Sequence, residues 1–347
     1  MNTCLPTTTA RTNVSTASPA VEVADPAGPA PSLILLGAQK AGSSFLFDAL
    51  AAGLCCFGST PKEPSFFSRW DRVRSDAAWT DYTRLFEASG DTQPAVTLEA
   101  TTGYLADAQA PLRMRERLPG TTRFVAILRD PAERSISAYW HLYKRGDDRR
   151  DIHDALGEVG SDLRDAIETE QARCQQAVHH GKIDLERYRD RYDDPVWPAR
   201  YITNSAYLSA LQGYVNVFGR ERLHVVLIED LLDQPERVWR ELCAFLDLDP
   251  TTDPPDVGRP ANATRVPRRT ATGRLLRAVH RGSFERATRW RAGAIHAALT
   301  RLKYAPKPDM PPGVIRNLRN LFQPHNRELA DWLDVELPSA WLGACDD

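Results

Sequence analysis

With 347 residues, 42% of them hydrophobic and 26% charged, the chain is long enough to bury a full core, and one elaborated domain over residues 32–347 is the expectation. A formal net charge of −2 leaves no global basic field, which argues against a nucleic-acid substrate. Six cysteines, at positions 4, 55, 56, 174, 243 and 345, have neither the paired spacing of a zinc site nor the density of a disulfide framework, so no metal and a reducing, cytoplasmic setting are expected.

Residues 1–31 are rich in Thr, Ala and Pro, lack the apolar stretch of a signal peptide, and read as a disordered arm. No later run approaches membrane-spanning length. Leu33-Ile34-Leu35-Leu36, stopping at Gly37, reads as a buried strand of a parallel sheet, and Phe45, Leu46, Ala49 and Leu50 then recur at helical spacing. The alternation returns with a strand at Val96-Thr97-Leu98, a helix over about Ala108 to Leu118, and a strand at Phe124 to Leu128. Asp130-Pro131-Ala132-Glu133 opens the next helix with an N-cap Asp, Pro in the first turn and Glu at N3. Tyr207 to Phe218 has an amphipathic helical pattern, followed by a strand from Leu223 to Ile228 and a helix carrying Val238, Trp239, Leu242, Phe245 and Leu246. Repeated strand–helix units predict an α/β, three-layer sandwich with a central parallel sheet covered by helices on both faces. The acidic stretch at about 147–200 reads equally as an inserted helical cover or a solvated excursion. From Arg259 to Lys307, thirteen Lys or Arg face a single Glu, which fits a surface turned toward an anionic ligand or an ordinary basic helix.

The strongest chemical signal is Gly37-Ala38-Gln39-Lys40-Ala41-Gly42-Ser43-Ser44, between a buried strand and a helix start. Backbone N–H groups and the helix dipole at such a junction bind phosphate. The lysine precedes the last glycine, so this is not the GxxxxGK[ST] loop of Mg-nucleotide enzymes. A lysine early in the loop can reach an oxygen bridging a 5'-phosphate and its leaving group, where negative charge grows in the transition state. A second phosphate contact is placed at the carboxyl end of the Val125 to Leu128 strand, where Arg129 and the hydroxyl of Ser137 can converge.

QKAGSSFLFDAL resembles the 5'-phosphosulfate-binding loop of sulfotransferases that use 3'-phosphoadenosine 5'-phosphosulfate (PAPS), and Arg129-Asp130-Pro131 with Ser137 resembles their 3'-phosphate strand and helix. The resemblance implies a P-loop-like fold and sulfuryl transfer without a metal, leaving adenosine 3',5'-bisphosphate as product. It also implies that Lys40, Ala41, Gly42, Ser43 and Ser44 hold the 5'-phosphosulfate, and that Arg129 and Ser137 hold the 3'-phosphate. Arg268 and Arg269 fall where the family has a basic loop over the nucleotide. Lys62-Glu63-Pro64-Ser65-Phe66-Phe67 is similar to the Lys-Glu-x-x-Phe-Phe segment of the heparan sulfate and related carbohydrate sulfotransferases, which implies Glu63 as general base. Two aromatics and a proline beside that carboxylate are expected to desolvate it and raise its pKa. His141, one turn beyond Ser137 on the same face, is the reserve base. Glycan-modifying relatives often have Glu-Lys-Ser/Thr-Pro-x-Tyr where this chain has Glu99-Ala100-Thr101-Thr102-Gly103-Tyr104, so the lysine is replaced by Ala100. The resemblance leaves the acceptor open among glycans, glycolipids and secondary metabolites. A small-molecule kinase and a non-catalytic protein binding adenosine bisphosphate or a glycan are the competing readings.

Overall fold

The computed structural model describes residues 30–53, 56–87, 94–157, 159–160, 162–249, 265–267, 304–306 and 311–343. Its centre is a five-stranded sheet made of β1 (Leu33–Gly37), β2 (Cys56–Gly58), β3 (Val96–Glu99), β4 (Arg123–Leu128) and β5 (Leu223–Leu227), in the order β2-β3-β1-β4-β5. All four pairings are parallel. Leu33 to Leu36 and Phe124 to Leu128 have no solvent exposure. Successive strand side chains point to opposite faces, so both faces of the sheet are covered, each Leu, Ile, Val or Phe among them contributing about 1.5–3 kcal/mol on burial.

Around the sheet run α1 (Ser43–Gly53), α2 (Trp70–Val73), α3 (Asp76–Thr83), α4 (Ala110–Arg115), α5 (Pro131–Arg145), α6 (Leu163–His179), α7 (Tyr207–Phe218), α8 (Ile228–Asp233), α9 (Pro235–Phe245) and α10 (Pro312–Leu333). The helix expected from Ala108 is shorter at both ends, and Ile228, expected to finish a strand, instead begins α8. α5 forms where the cap predicts it: Asp130 accepts from the N–H groups of Ala132 (2.8 Å) and Glu133 (3.0 Å), and Gly146 closes the other end at φ 78°. A cap of this kind contributes about 1 kcal/mol.

A second apolar cluster joins α5, α6 and α10 through Tyr139, Leu142, Cys174, Leu318 and Phe322. The chain end turns back on the sheet: Trp341 is 1% exposed and its Nε1 donates to Glu229 Oε1 at 3.1 Å. No helix of the described residues is long and apolar enough to cross a membrane. Short strands β6 (Arg265–Pro267) and β7 (Tyr304–Pro306) pair antiparallel, and β6 lies alongside α5. Arg268, Arg269, nearly all of the basic stretch and residues 1–29 of the arm lie outside the described residues.

The strand order fixes where a ligand belongs. From β1 the chain passes to β2 and β3 on one side of the sheet, and to β4 and β5 on the other. The crevice outside the carboxyl ends of β1 and β4 is therefore the switch point at which such sheets bind ligands.

Candidate active site

At that switch point the Lys40 loop and Arg129 are adjacent, because Ala38 N–H donates to Ile127 O at 2.7 Å and continues the β1–β4 ladder past the strand end. The loop is held in a shape few residues adopt. Gly42 has φ 96°, and a Cβ there would lie 2.6 Å from Ile228 Cδ1; at Gly37, φ 117°, it would lie 2.6 Å from the Thr102 carbonyl oxygen. Lys40 is itself left-handed at φ 73°, a conformation that costs a non-glycine residue about 1–3 kcal/mol and tends to persist at functional sites. Burial pulls the Lys40 ammonium below its ordinary pKa, with Lys144 and Arg129 adding to the effect. An anion arriving here meets a concentrated, partly desolvated positive field.

From the end of β4 along α5 a polar stripe faces the same space. Arg129, Glu133, Ser137, His141 and Arg145 recur every four residues, one helical turn apart, and all line the cleft. Arg129 Nη2 donates to Glu133 Oε2, and the Arg129 backbone carbonyl accepts from Tyr207 Oη at 2.9 Å. His141 Nε2 faces Arg145 Nη1 at 3.1 Å, and burial, followed by Lys40 and Arg145, pushes the imidazole down to about 3. A ring held neutral, with its accepting nitrogen engaged by a guanidinium, is a poor proton acceptor, which weakens the reserve role expected for His141.

Glu63 stands opposite, and its surroundings differ from the expected ones. Phe66 and Phe67 turn away into an aromatic cluster with Trp79 and Tyr82 instead of flanking the carboxylate. Glu63 is set among charges and a hydroxyl: Lys62 Nζ donates to Oε1 at 3.4 Å, Thr102 Oγ1 donates to Oε1 at 3.4 Å, and Arg191 Nη2 lies 3.7 Å from Oε2. Arg191 also donates to the Glu63 carbonyl (3.0 Å) and to Ser65 Oγ (2.8 Å), pinning the loop itself.

Beneath this loop, Ser65 N–H donates to Thr101 Oγ1 (3.1 Å), Thr101 donates to Glu99 Oε2 (2.7 Å), and Tyr82 Oη donates to Glu99 Oε1 (2.6 Å). Glu99 is fully buried, and burial pushes its carboxyl up to about 7.

One cleft of about 1110 Å³ is lined by Lys40 to Ser44, Glu63, Arg129, Ser137 and His141, so every described residue expected at the site is in one place. Lys62, expected only as the neighbour of Glu63, is tied to both sides of the cleft by its hydrogen bonds. Its Nζ donates to Ser43 Oγ (3.4 Å) and Ser44 Oγ (3.3 Å) as well as to Glu63, and burial lowers its pKa despite that carboxylate. Ala100 is buried, and its N–H donates to the Lys62 backbone carbonyl at 3.0 Å, which ties the Lys62-Glu63 loop to the end of β3. Arg191, Tyr192 and Trp197 complete the wall beyond Glu63. They sit in an irregular segment without periodicity, and only their residue types could have hinted at a surface for a ligand.

No protein-family model matches the chain, and no curated protein matches it in sequence. Among solved structures, a sulfotransferase from Alicyclobacillus acidocaldarius is similar over 90% of this chain and 98% of its own, with 21% identity and a TM-score of 0.57, which establishes the α/β fold. The sulfotransferase domain from the curacin biosynthetic pathway has 16% identity over 67% of this chain and 82% of its own, with a TM-score of 0.38. The sulfotransferase domain from the Synechococcus PCC 7002 olefin synthase has 16% identity over 90% and 97%, with a TM-score of 0.36. These last two align too loosely to add to the fold assignment.

Proposed function

We propose that the protein transfers the sulfuryl group of PAPS to a hydroxyl or amine of a small-molecule or glycan acceptor. The observation that carries this reading is the single cleft in which the Lys40 loop, Arg129, the Ser137 face of α5 and Glu63 meet. The likeness of fold to a sulfotransferase, and the sequence resemblance of the two phosphate segments, support it.

In this scheme the loop amides and the hydroxyls of Ser43 and Ser44 hold the 5'-phosphosulfate. The 3'-phosphate draws Arg129 away from Glu133 and accepts from Ser137. Glu63 takes the proton of the acceptor, whose oxygen or nitrogen attacks sulfur from the side opposite the leaving group. The bond between sulfur and the 5'-phosphate oxygen breaks as the new one forms. Lys40 meets the charge that develops on the departing oxygen, and Lys62, touching both the serines and Glu63, meets the sulfuryl oxygens in between. Adenosine 3',5'-bisphosphate leaves, and the proton on Glu63 passes to solvent.

The test is incubation with PAPS and a panel of sugar, lipid-linked and phenolic acceptors, read by the mass of sulfated product in the presence of EDTA. Product formed with PAPS, and none with ATP, is expected. Phosphorylated product from ATP, appearing only with Mg²⁺, would establish the kinase reading in its place.

A further inference from the structure

Arg134 takes no part in that scheme, yet it occupies the most confined position of any cation near the cleft. It lies in the first turns of α5 and is 1% exposed. Its Nε donates to Ser205 Oγ at 2.5 Å, its Nη2 to Tyr201 O at 2.6 Å and its Nη1 to Gln39 O at 3.4 Å. All three acceptors are neutral. Among the described residues no carboxylate lies within ion-pair distance of this guanidinium. The acid nearest to being a partner, Glu170, has its oxygens taken by the N–H groups of Ile202 (2.7 Å) and Thr203 (2.8 Å) and by the Thr203 hydroxyl (2.7 Å). Arginine is rarely buried completely without a paired anion, because a charge taken out of water and left uncompensated is strongly destabilising.

The missing counter-charge has an obvious direction of approach. Gln39 O belongs to the loop that leads into α1, and Arg129 stands just ahead of the same helix that carries Arg134. Gln39 and Arg129 both line the cleft. Burial draws the Arg134 pKa down, Tyr207, Glu170 and Tyr201 oppose that effect, and Arg129 adds to it. The Arg134 fork also ties the loop to the 201–205 turn, where Ser135 Oγ and Ser205 Oγ lie 2.8 Å apart and both donate to Tyr201 O.

We propose that Arg134 is a positioning residue whose counter-ion is the bound anion of the donor: it fixes the carbonyl of Gln39, and with it the loop, and sets a permanent positive charge behind the loop amides. This rests on the reading of the cleft as a nucleotide site. Ligand-free, the protein carries the buried charge without a directly ion-paired carboxylate among the described residues; with the phosphosulfate seated, the two charges stabilise each other across the loop.

The test compares parent, Arg134→Met and Arg134→Lys by thermal unfolding without ligand, and by calorimetric titration with adenosine 3',5'-bisphosphate and with inorganic pyrophosphate. Arg134→Met should keep or raise the ligand-free melting temperature and weaken both anions about tenfold or more. Arg134→Lys, which keeps the charge and loses the fork, should recover part of that affinity. A large drop in ligand-free melting temperature, with parental affinity in the folded Met variant, would make Arg134 a scaffold residue only. If the Met variant does not fold, the Lys variant decides, and affinity reduced beyond a hundredfold for pyrophosphate would overturn the charge argument. A parent that binds pyrophosphate but not the bisphosphate removes the sulfotransferase reading and leaves Arg134 to be judged on pyrophosphate. A parent that binds neither overturns both.

Discussion

On the wall proposed to hold the donor, Lys40 to Ser44 and Arg129 hang from neighbouring central strands joined by backbone hydrogen bonds, whereas on the wall proposed to face the acceptor Glu63 is held by side chains, one of them reaching it from 128 residues away. The first wall is inherited from the sheet: β1 is buried throughout and β4 from Phe124 to Leu128, and their carboxyl ends come together whatever the surface does. The second is assembled from Arg191, Thr102 and Lys62, each contributing contacts of 3.0 to 3.7 Å to Glu63. A wall made of backbone can bind one constant ligand, and a wall made of loop side chains can change with the acceptor.

If the walls divide the chemistry in this way, substitutions should separate binding from turnover. The largest effect is expected at Glu63. Glu63→Gln keeps size and hydrogen bonding but removes basicity, and should lower turnover by about 10²- to 10⁴-fold while bisphosphate affinity stays within a few-fold of the parent. Lys40→Ala should instead lower both together. Near-parental turnover in Glu63→Gln would return the base role to His141.

Next in size is Arg129→Ala. It removes a charge-assisted contact worth about 1.5–3 kcal/mol, so the bisphosphate should bind about ten- to more than a hundredfold more weakly in calorimetry. Unchanged affinity would place the 3'-phosphate elsewhere. Arg191→Met, on the other wall, should cost about tenfold in turnover with no change in nucleotide binding, because it frees the Glu63 loop without touching β1 or β4.

The smallest effect concerns Glu99 and is a matter of pH. Its carboxyl, ordinarily at 4.5, is raised to about 7 in the folded protein. Between those values the folded state holds a proton that the unfolded state has lost. The associated stability is complete below the lower value and is lost as pH rises through the upper one. The melting temperature should therefore fall from pH 5 to pH 8, and Glu99→Gln, which imitates the protonated acid, should flatten that fall while leaving bisphosphate affinity alone. An equally steep fall in the variant would assign it to other groups.

The donor wall was also the legible one. A continuous apolar run ending in glycine, a lysine ahead of Gly42, and a capped helix after Arg129 are local patterns, and each forms where its residues predict. The acceptor wall was visible only in part. Lys62-Glu63 can be marked as chemistry from sequence, but the aromatic pair after it, expected to shield the carboxylate, packs into the core. Ser65, left-handed at φ 56°, turns the chain between them, and nothing local announces that turn. The short edge strand β2 and the helices α2 and α3 carry too few residues for a period to show. Arg191 and Arg134 act through partners distant in sequence, so their roles became readable only with the fold.

The most direct measurement is a calorimetric titration of the parent protein with adenosine 3',5'-bisphosphate and with ADP in the presence of EDTA. The two ligands carry the same base and differ in where their phosphates sit. If Lys40 to Ser44 and Arg129 with Ser137 form two separate phosphate sites, the bisphosphate should bind at least about tenfold more tightly, and Arg129→Ala should erase the preference. Equal affinities in the parent would contradict the account.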